Sequence, residues 1–160
     1  MEFEVVVEVP KGSRNKYEID HETGKIHLDR ELFTATRYPT DYGYIEGTAS
    51  TDGDPIDALV MVGEPTFPGC RIRCRPIGLF RMRDQKKEDA KILAMPVFDR
   101  TLKWSDVRDV PEQVLTEIRH FFDIYRDLEG NKVIEVGDWE GREAAEAEIE
   151  RSQARHQGQG

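Results

Sequence analysis

Residues 3–12 read FEVVVEVPKG. Phe3, Val5, Val7 and Val9 alternate with Glu4, Val6 and Glu8, the period of two that a strand with one buried face requires. Pro10-Lys11-Gly12 ends the run. Glu8 interrupts an otherwise valine-rich strand, and a carboxylate there demands a partner.

The same cadence continues outward from this strand. Tyr17 and Ile19 alternate with Lys16, Glu18 and Asp20, a turn is expected around Glu22-Thr23-Gly24, and Ile26, Leu28 and Arg30 share one face of the next strand. Two such runs across a Gly-containing turn predict a hairpin. Further strands are predicted at Tyr44-Ile45, Ala58 to Val62, Arg71 to Arg75, Gly78 to Met82 and Lys91 to Met95. Gly and Pro punctuate them at intervals too short for helical crossovers, which favours an antiparallel barrel or a strongly bent sheet.

From Val114 the pattern changes. Val114, Leu115, Ile118, Phe121, Phe122, Tyr125 and Leu128 recur at helical spacing, with Pro111 suited to a first turn. A second, highly charged helix with a thin apolar stripe is predicted from about Arg142 to Ala154. One domain over residues 1–160 is expected, with about 153–160 frayed. The fold class is therefore mixed and mainly β, with C-terminal helices flanking a barrel.

Composition narrows the function. Charged residues make up 34% of the 160, and the formal net charge is −9. That balance opposes a general binder of nucleic acid or anionic membranes. No apolar run reaches membrane-spanning length, and MEFEVVVEVP lacks the basic start of a signal peptide, so a cytoplasmic protein is expected. Cys70 and Cys74 are the only cysteines. On a strand they would share a face with Ile72 while Arg71, Arg73 and Arg75 point away, which predicts two buried, reduced thiols and no structural zinc. The arginine face lacks the aromatic platforms of a single-strand nucleic-acid site.

The chemistry concentrates at residues 51–59, TDGDPIDAL. Asp52, Asp54 and Asp57 crowd a Gly/Pro turn and repel one another unless a cation intervenes. An EF-hand fails, because Asp57 and Gly63 stand where Gly and Glu are needed. No phosphate-binding glycine loop is present, so any phosphate must be held by side chains. Asp84 and Asp89 flank another charged loop, with Asp89 on the face of Lys91 and Glu18 on that of Lys16. Arg30 shares a face with apolar residues and must be paired or reach out of the core. Singly, each reads as a surface ion pair. Together they suggest a pocket of carboxylates and cations where strand faces converge. Carboxylates without Cys or His favour hard ions such as Mg²⁺ or Mn²⁺. Such ions acidify water and neutralise phosphate charge, so metal-assisted hydrolysis of a small, highly anionic phosphoanhydride is expected. A hydrolase of nucleoside triphosphates or short polyphosphates is the competing reading, although no base pocket is specified.

The ordered segments VVVEVP, NKYEID, LDR, YPTDYGYI, DGDPIDAL, IRCRPIG, DAKILAMP, HFFDIYRDLE and the final WEGREAAEAE cover nearly the whole chain. In that order they resemble the soluble family I inorganic pyrophosphatases, in their bacterial, actinobacterial form. The resemblance implies a five-stranded OB-like closed barrel with flanking helices, a homohexamer, and cleavage of pyrophosphate to two phosphates with several Mg²⁺ ions, for which Mn²⁺ or Zn²⁺ could substitute. It implies that Asp52, Asp57 and Asp89 hold a tightly bound metal, with Asp57 bridging to a second. Asp84 with Asp89 would hold a substrate-associated ion, and Glu18 with Glu8 a further one. Asp54 is the implied general base and Asp89 the alternative, with Tyr42 beside the nucleophile. Lys16, Arg30, Tyr42, Lys91, Tyr125 and Arg126 are the implied substrate-binding set, and Tyr38 would stand behind them. Two positions depart from the family pattern. Arg126 replaces the usual lysine, and Gln85 stands where an acid often follows Asp84.

Overall fold

The computed structural model describes residues 1–159, and for Gln159 the backbone only. Nine strands and two helices follow one another: β1 (Phe3–Val9), β2 (Asn15–Ile19), β3 (Ile26–Glu31), β4 (Asp41–Ile45), β5 (Asp57–Val60), β6 (Arg71–Asp84), β7 (Lys87–Glu88), β8 (Lys91–Pro96), α1 (Glu112–Ile124), β9 (Ile134–Gly141) and α2 (Arg142–Gln159). The chain is mixed α+β and mostly strand. The expected hairpin of β2 and β3 forms its own two-stranded sheet.

Five strands pair in the cyclic order β1-β4-β5-β8-β6, and β6 returns to β1 to close a ring. The length of β6 makes closure possible. Its 14 residues pair with β1 at one end, with β8 along the middle, and with β9 and β7 at the other. The sequence breaks this strand in two at Arg75, whereas the structure runs it through Pro76 and absorbs the proline at an irregularity between Pro76 and Gly78.

One pairing corrects the antiparallel expectation: β5 and β8 run parallel. A parallel pair needs a long crossover, and here the long strand β6 supplies it instead of a helix. The register sets Asp57 opposite Lys91.

Alternation along the strands divides most of the core into two large clusters, with Val6, Ile19 and Tyr44 forming a third, small one. Val5, Val7, Ala58, Val60, Ile92 and Ala94 face one cluster, which Ala145 and Ile149 of α2 complete. Leu59, Leu93 and Met95 face the other, which α1 fills with Ile118, Phe121 and Phe122. The irregularity in β6 switches parity, so Cys74 and Leu79 reach the same cluster across an odd number of residues. At Gly43, β4 approaches β1 so closely that a Cβ there would lie 1.9 Å from the Val6 carbonyl oxygen.

Other differences are local. Ile26 and Leu28 are exposed, so Arg30 does not share a core face; a shift between Lys16 and Tyr17 re-registers the hairpin. Helix α1 begins after Pro111, which is its N-cap, and ends at Ile124, leaving Leu128 exposed beyond it. Strand β9, absent from the sequence reading, pairs with β6 and packs Trp139 on Phe80. Of the tail expected to fray from about residue 153, residue 160 lies outside the described residues. Helix α2 continues to Gln159, held where Arg155 donates to the Ala49 carbonyl at 2.7 Å and the Ala49 N–H donates to the Ser152 carbonyl at 3.0 Å. Both cysteines are free, Cys74 buried and Cys70 only half-buried.

Candidate active site

A cleft of about 520 Å³ gathers Glu8 from β1, Lys16 and Glu18 from β2, Arg30 from β3, Tyr42 from β4, Asp54 and Asp57 at the start of β5, Asp84 and Asp89 around the β6–β7 hairpin, Lys91 from β8, and Tyr125 and Arg126 after α1. A second hollow of about 360 Å³ adjoins it, sharing Asp54, Asp57, Asp84, Asp89 and Arg126 and adding Asp52 and Gln85. Of the residues expected from the sequence, Asp52 alone stands outside the main cleft. The connecting wall is made of carboxylates.

At the floor, Lys91 is 1% exposed. Its ammonium donates to Asp57 Oδ2 at 2.8 Å, Asp89 Oδ2 at 3.0 Å and Tyr42 Oη at 2.8 Å. Burial opposes that charge, but Asp57 and Asp89 outweigh it and hold the lysine pKa well above its ordinary value. Tyr42 in turn donates to Asp57 Oδ2 at 2.8 Å. Burial, reinforced by the Asp57 charge, keeps the Tyr42 proton in place. Tyr38 stacks behind Tyr42 and Phe121 at centroid distances of 5.4 and 4.8 Å, fixing the ring that carries this hydroxyl. Tyr125, at the C-cap of α1, is 6% exposed, and burial pushes its phenol up to about 12. It belongs to the aromatic core and also reaches the cleft, as an apolar ring with a polar tip can.

The aspartate turn is braced from within. Gly53 takes φ +94°, a conformation that favours glycine. The Ser50 hydroxyl donates to Asp52 and, at 2.9 Å, to the Asp54 carbonyl, and the Asp54 N–H donates to Asp52 Oδ1 at 3.1 Å. The Ser50 hydroxyl holds the Asp52 carboxyl below its ordinary pKa. Asp54 is thereby left exposed with its carboxylate free of hydrogen bonds among the described residues.

Around the rim, Lys16 pairs with Glu18 at 2.6 Å and Arg126 pairs with Asp84. Glu8 accepts the Ile19 N–H at 2.8 Å, the partner that its valine-rich strand called for. Burial still raises its carboxyl to about 7. Sequence reasoning passed over two organising residues. Arg30 is held by Asp29 and by Glu129, and Glu129 also holds Arg126. Their only signals were adjacency to Arg30 in LDR and to Arg126 in YRDLE.

The donor set suits a hard cation: oxygen ligands only, with Asp84 Oδ1 buried and unpartnered and Glu8 buried against the cleft wall with its carboxyl raised by that burial. Among the described residues no three Asp, Glu, His or Cys side chains already converge on one point. Asp57 and Asp89 are instead paired with Lys91, Asp84 with Arg126 and Glu18 with Lys16. Clustered acids facing clustered cations in a small cleft fit an anionic substrate brought in with divalent metal.

Comparison with known proteins decides the family. The family model for inorganic pyrophosphatase matches residues 5–157. The chain belongs to the inorganic pyrophosphatase family. An inorganic pyrophosphatase of Streptomyces coelicolor is 59% identical, covering 100% of this chain and 99% of that one. One from Corynebacterium glutamicum is 49% identical over 91% of this chain and 92% of its own. The crystal structure of the Thermus thermophilus pyrophosphatase superposes with a TM-score of 0.95 at 44% identity, covering 98% of this chain and 92% of that one. The fold that carries the cleft is thus shared over nearly its full length with a solved pyrophosphatase.

Proposed function

We propose that the chain hydrolyses inorganic pyrophosphate to two orthophosphates, using several Mg²⁺ ions held by Glu8, Glu18, Asp52, Asp57, Asp84 and Asp89. The observation that carries this reading is the cleft itself, where most of those acids and four cations share about 520 Å³. Family membership supports the same substrate. Bound Mg²⁺, or Mn²⁺ or Zn²⁺ in its place, supplies Lewis acidity toward water and phosphate oxygen.

The chain's own residues do the rest. Arg30 and Arg126 offer planar forks to phosphate oxygens, and Lys16 and Lys91 add point charges. Tyr42 keeps its proton and donates it as a hydrogen bond, and Tyr125 presents a hydroxyl that also stays protonated. Asp54 is the general base, because its exposed carboxylate is free to take a proton from water while its neighbours are engaged. Asp89, bonded to Lys91, is the poorer candidate.

The ring of strands is read as an OB-like closed barrel, and the working assembly as a cytoplasmic homohexamer. No helix among the described residues is long and apolar enough to cross a membrane. Exposed Phe98 and Leu102 border an apolar hollow with Met61 and Val62 that a second copy could cover.

Phosphate release from pyrophosphate and from ATP, with Mg²⁺, on wild type and Asp54→Asn tests the reading. Fast cleavage of pyrophosphate alone is expected, with a loss of roughly 10²–10⁴-fold in the variant. Preference for ATP would overturn the substrate, and near-normal turnover by the variant would remove Asp54 as base.

A further inference from the structure

Glu129 sits in the turn after α1, its N–H donating to the Arg126 carbonyl at 3.0 Å, and its side chain is 7% exposed. A carboxylate so buried must be paired. Both oxygens are used. Oε2 accepts from Arg30 Nε at 3.2 Å and Nη2 at 3.1 Å, while Oε1 accepts from Arg126 Nε at 3.2 Å. The two guanidiniums come from residues 96 positions apart in the chain (126 − 30) and meet on one carboxylate. Both line the cleft, whereas Glu129 does not.

We infer that Glu129 is a positioning residue that clamps Arg30 and Arg126 into one preorganised receptor for the phosphate groups of the substrate. Three arguments support it, all resting on the pyrophosphatase reading above. Two guanidiniums this close repel, and a shared acid removes that cost before substrate arrives. A long side chain held in one rotamer no longer loses that freedom on binding. Finally, the bond to Oε1 uses Nε–H, which leaves the outer end of Arg126 to Asp84 and the substrate. Arg126 Nη2 has no protein acceptor among the described residues. A lysine has one donor head and cannot hold the inner bond and present an outer fork together. The clamp therefore gives a physical role to arginine at position 126.

The test uses Glu129→Gln, which keeps the shape and removes the charge, with Arg126→Lys and the double variant, at saturating Mg²⁺. Thermal unfolding is followed on each, and Glu129→Asp is a second probe with a shorter arm. Glu129→Gln should raise KM for pyrophosphate about tenfold while kcat stays within about threefold, the pattern of lost binding rather than lost chemistry. The double variant should cost less than the product of the two single effects, since each disrupts the same clamp. Inorganic phosphate binding by calorimetry reads the clamp without turnover: about tenfold weaker binding by Glu129→Gln supports it, and equal binding overturns it whatever the wild type does to pyrophosphate. An unchanged KM, a fall in kcat alone, or multiplicative effects would also overturn it. If Glu129→Gln unfolds, the same readings on Glu129→Asp decide.

Discussion

Lys91 Nζ lies 2.8 Å from Asp57 Oδ2, and the two residues are register partners across the parallel pair of β5 and β8. Backbone pairing thus delivers a buried ammonium to the acid that opens the neighbouring strand. A buried ion pair broken on one side leaves an uncompensated charge. In chelator, Lys91→Met should lose about 3–5 kcal/mol of stability, measured by urea denaturation. Asp57 and Asp89 then face each other without a cation, so Mg²⁺ should raise the melting temperature of the variant more than that of wild type. Equal gains in the two proteins would contradict this account.

Glu8 makes stability depend on pH. Burial lifts its carboxyl from the ordinary 4.5 to about 7. Between those values the folded chain retains a proton that the unfolded chain has released, so stability contributed by this group falls as pH rises through the window. In chelator, Glu8→Gln should match wild type near pH 4 and exceed it near pH 8, by at most roughly 3 kcal/mol. A pH-independent difference between the two would refute the assignment.

Gln85 offers a test of metal demand. It lines the hollow that also holds Asp52, Asp54 and Asp89, and with Lys86 it forms the left-handed tip of the β6–β7 hairpin, at φ +55° and +67°. Glutamate meets the same backbone constraint as glutamine there, so Gln85→Glu changes charge without changing strain. The added acid should lower the Mg²⁺ concentration for half-maximal activity several-fold; identical Mg²⁺ titrations would sink the idea.

The thiols should separate cleanly. Cys74 is fully buried, and burial pushes its thiol up to about 12, whereas Cys70 is half-buried beside it. An aromatic disulfide reagent at pH 8 should label Cys70 in the native protein and both cysteines only in denaturant. Rapid double labelling of the folded chain would show that β6 opens locally.

Much of this was legible in local pattern. The period of two in Phe3–Val9 and the run from Val114 to Phe122 each report one buried face, and burial is decided residue by residue. The carboxylates and cations of the cleft were legible because their types are costly to bury unpaired. What escaped depends on partners distant in sequence. The parallel pairing of Asp57 with Lys91 is set by how β6 closes the ring. Strand β9 carries half-exposed Gly137 and exposed Asp138 and takes its identity from its pairing with β6. Ile26 and Leu28 look like core, but the hairpin stands as its own two-stranded sheet with both faces of β3 exposed. Glu129 resembles any surface acid until Arg30 arrives from the other end of the chain.

The anchoring of α2 on Ala49 has a consequence for how the protein is made. Ala49 lies just before the aspartate turn, and its two bonds come from Ser152 and Arg155, about a hundred positions later. During synthesis the turn therefore leaves the ribosome long before its brace does. A nascent chain halted before residue 142 carries every acid and cation of the cleft and lacks the helix that steadies the approach to three of them, so catalytic competence should emerge late in translation, after the last of those residues has been added.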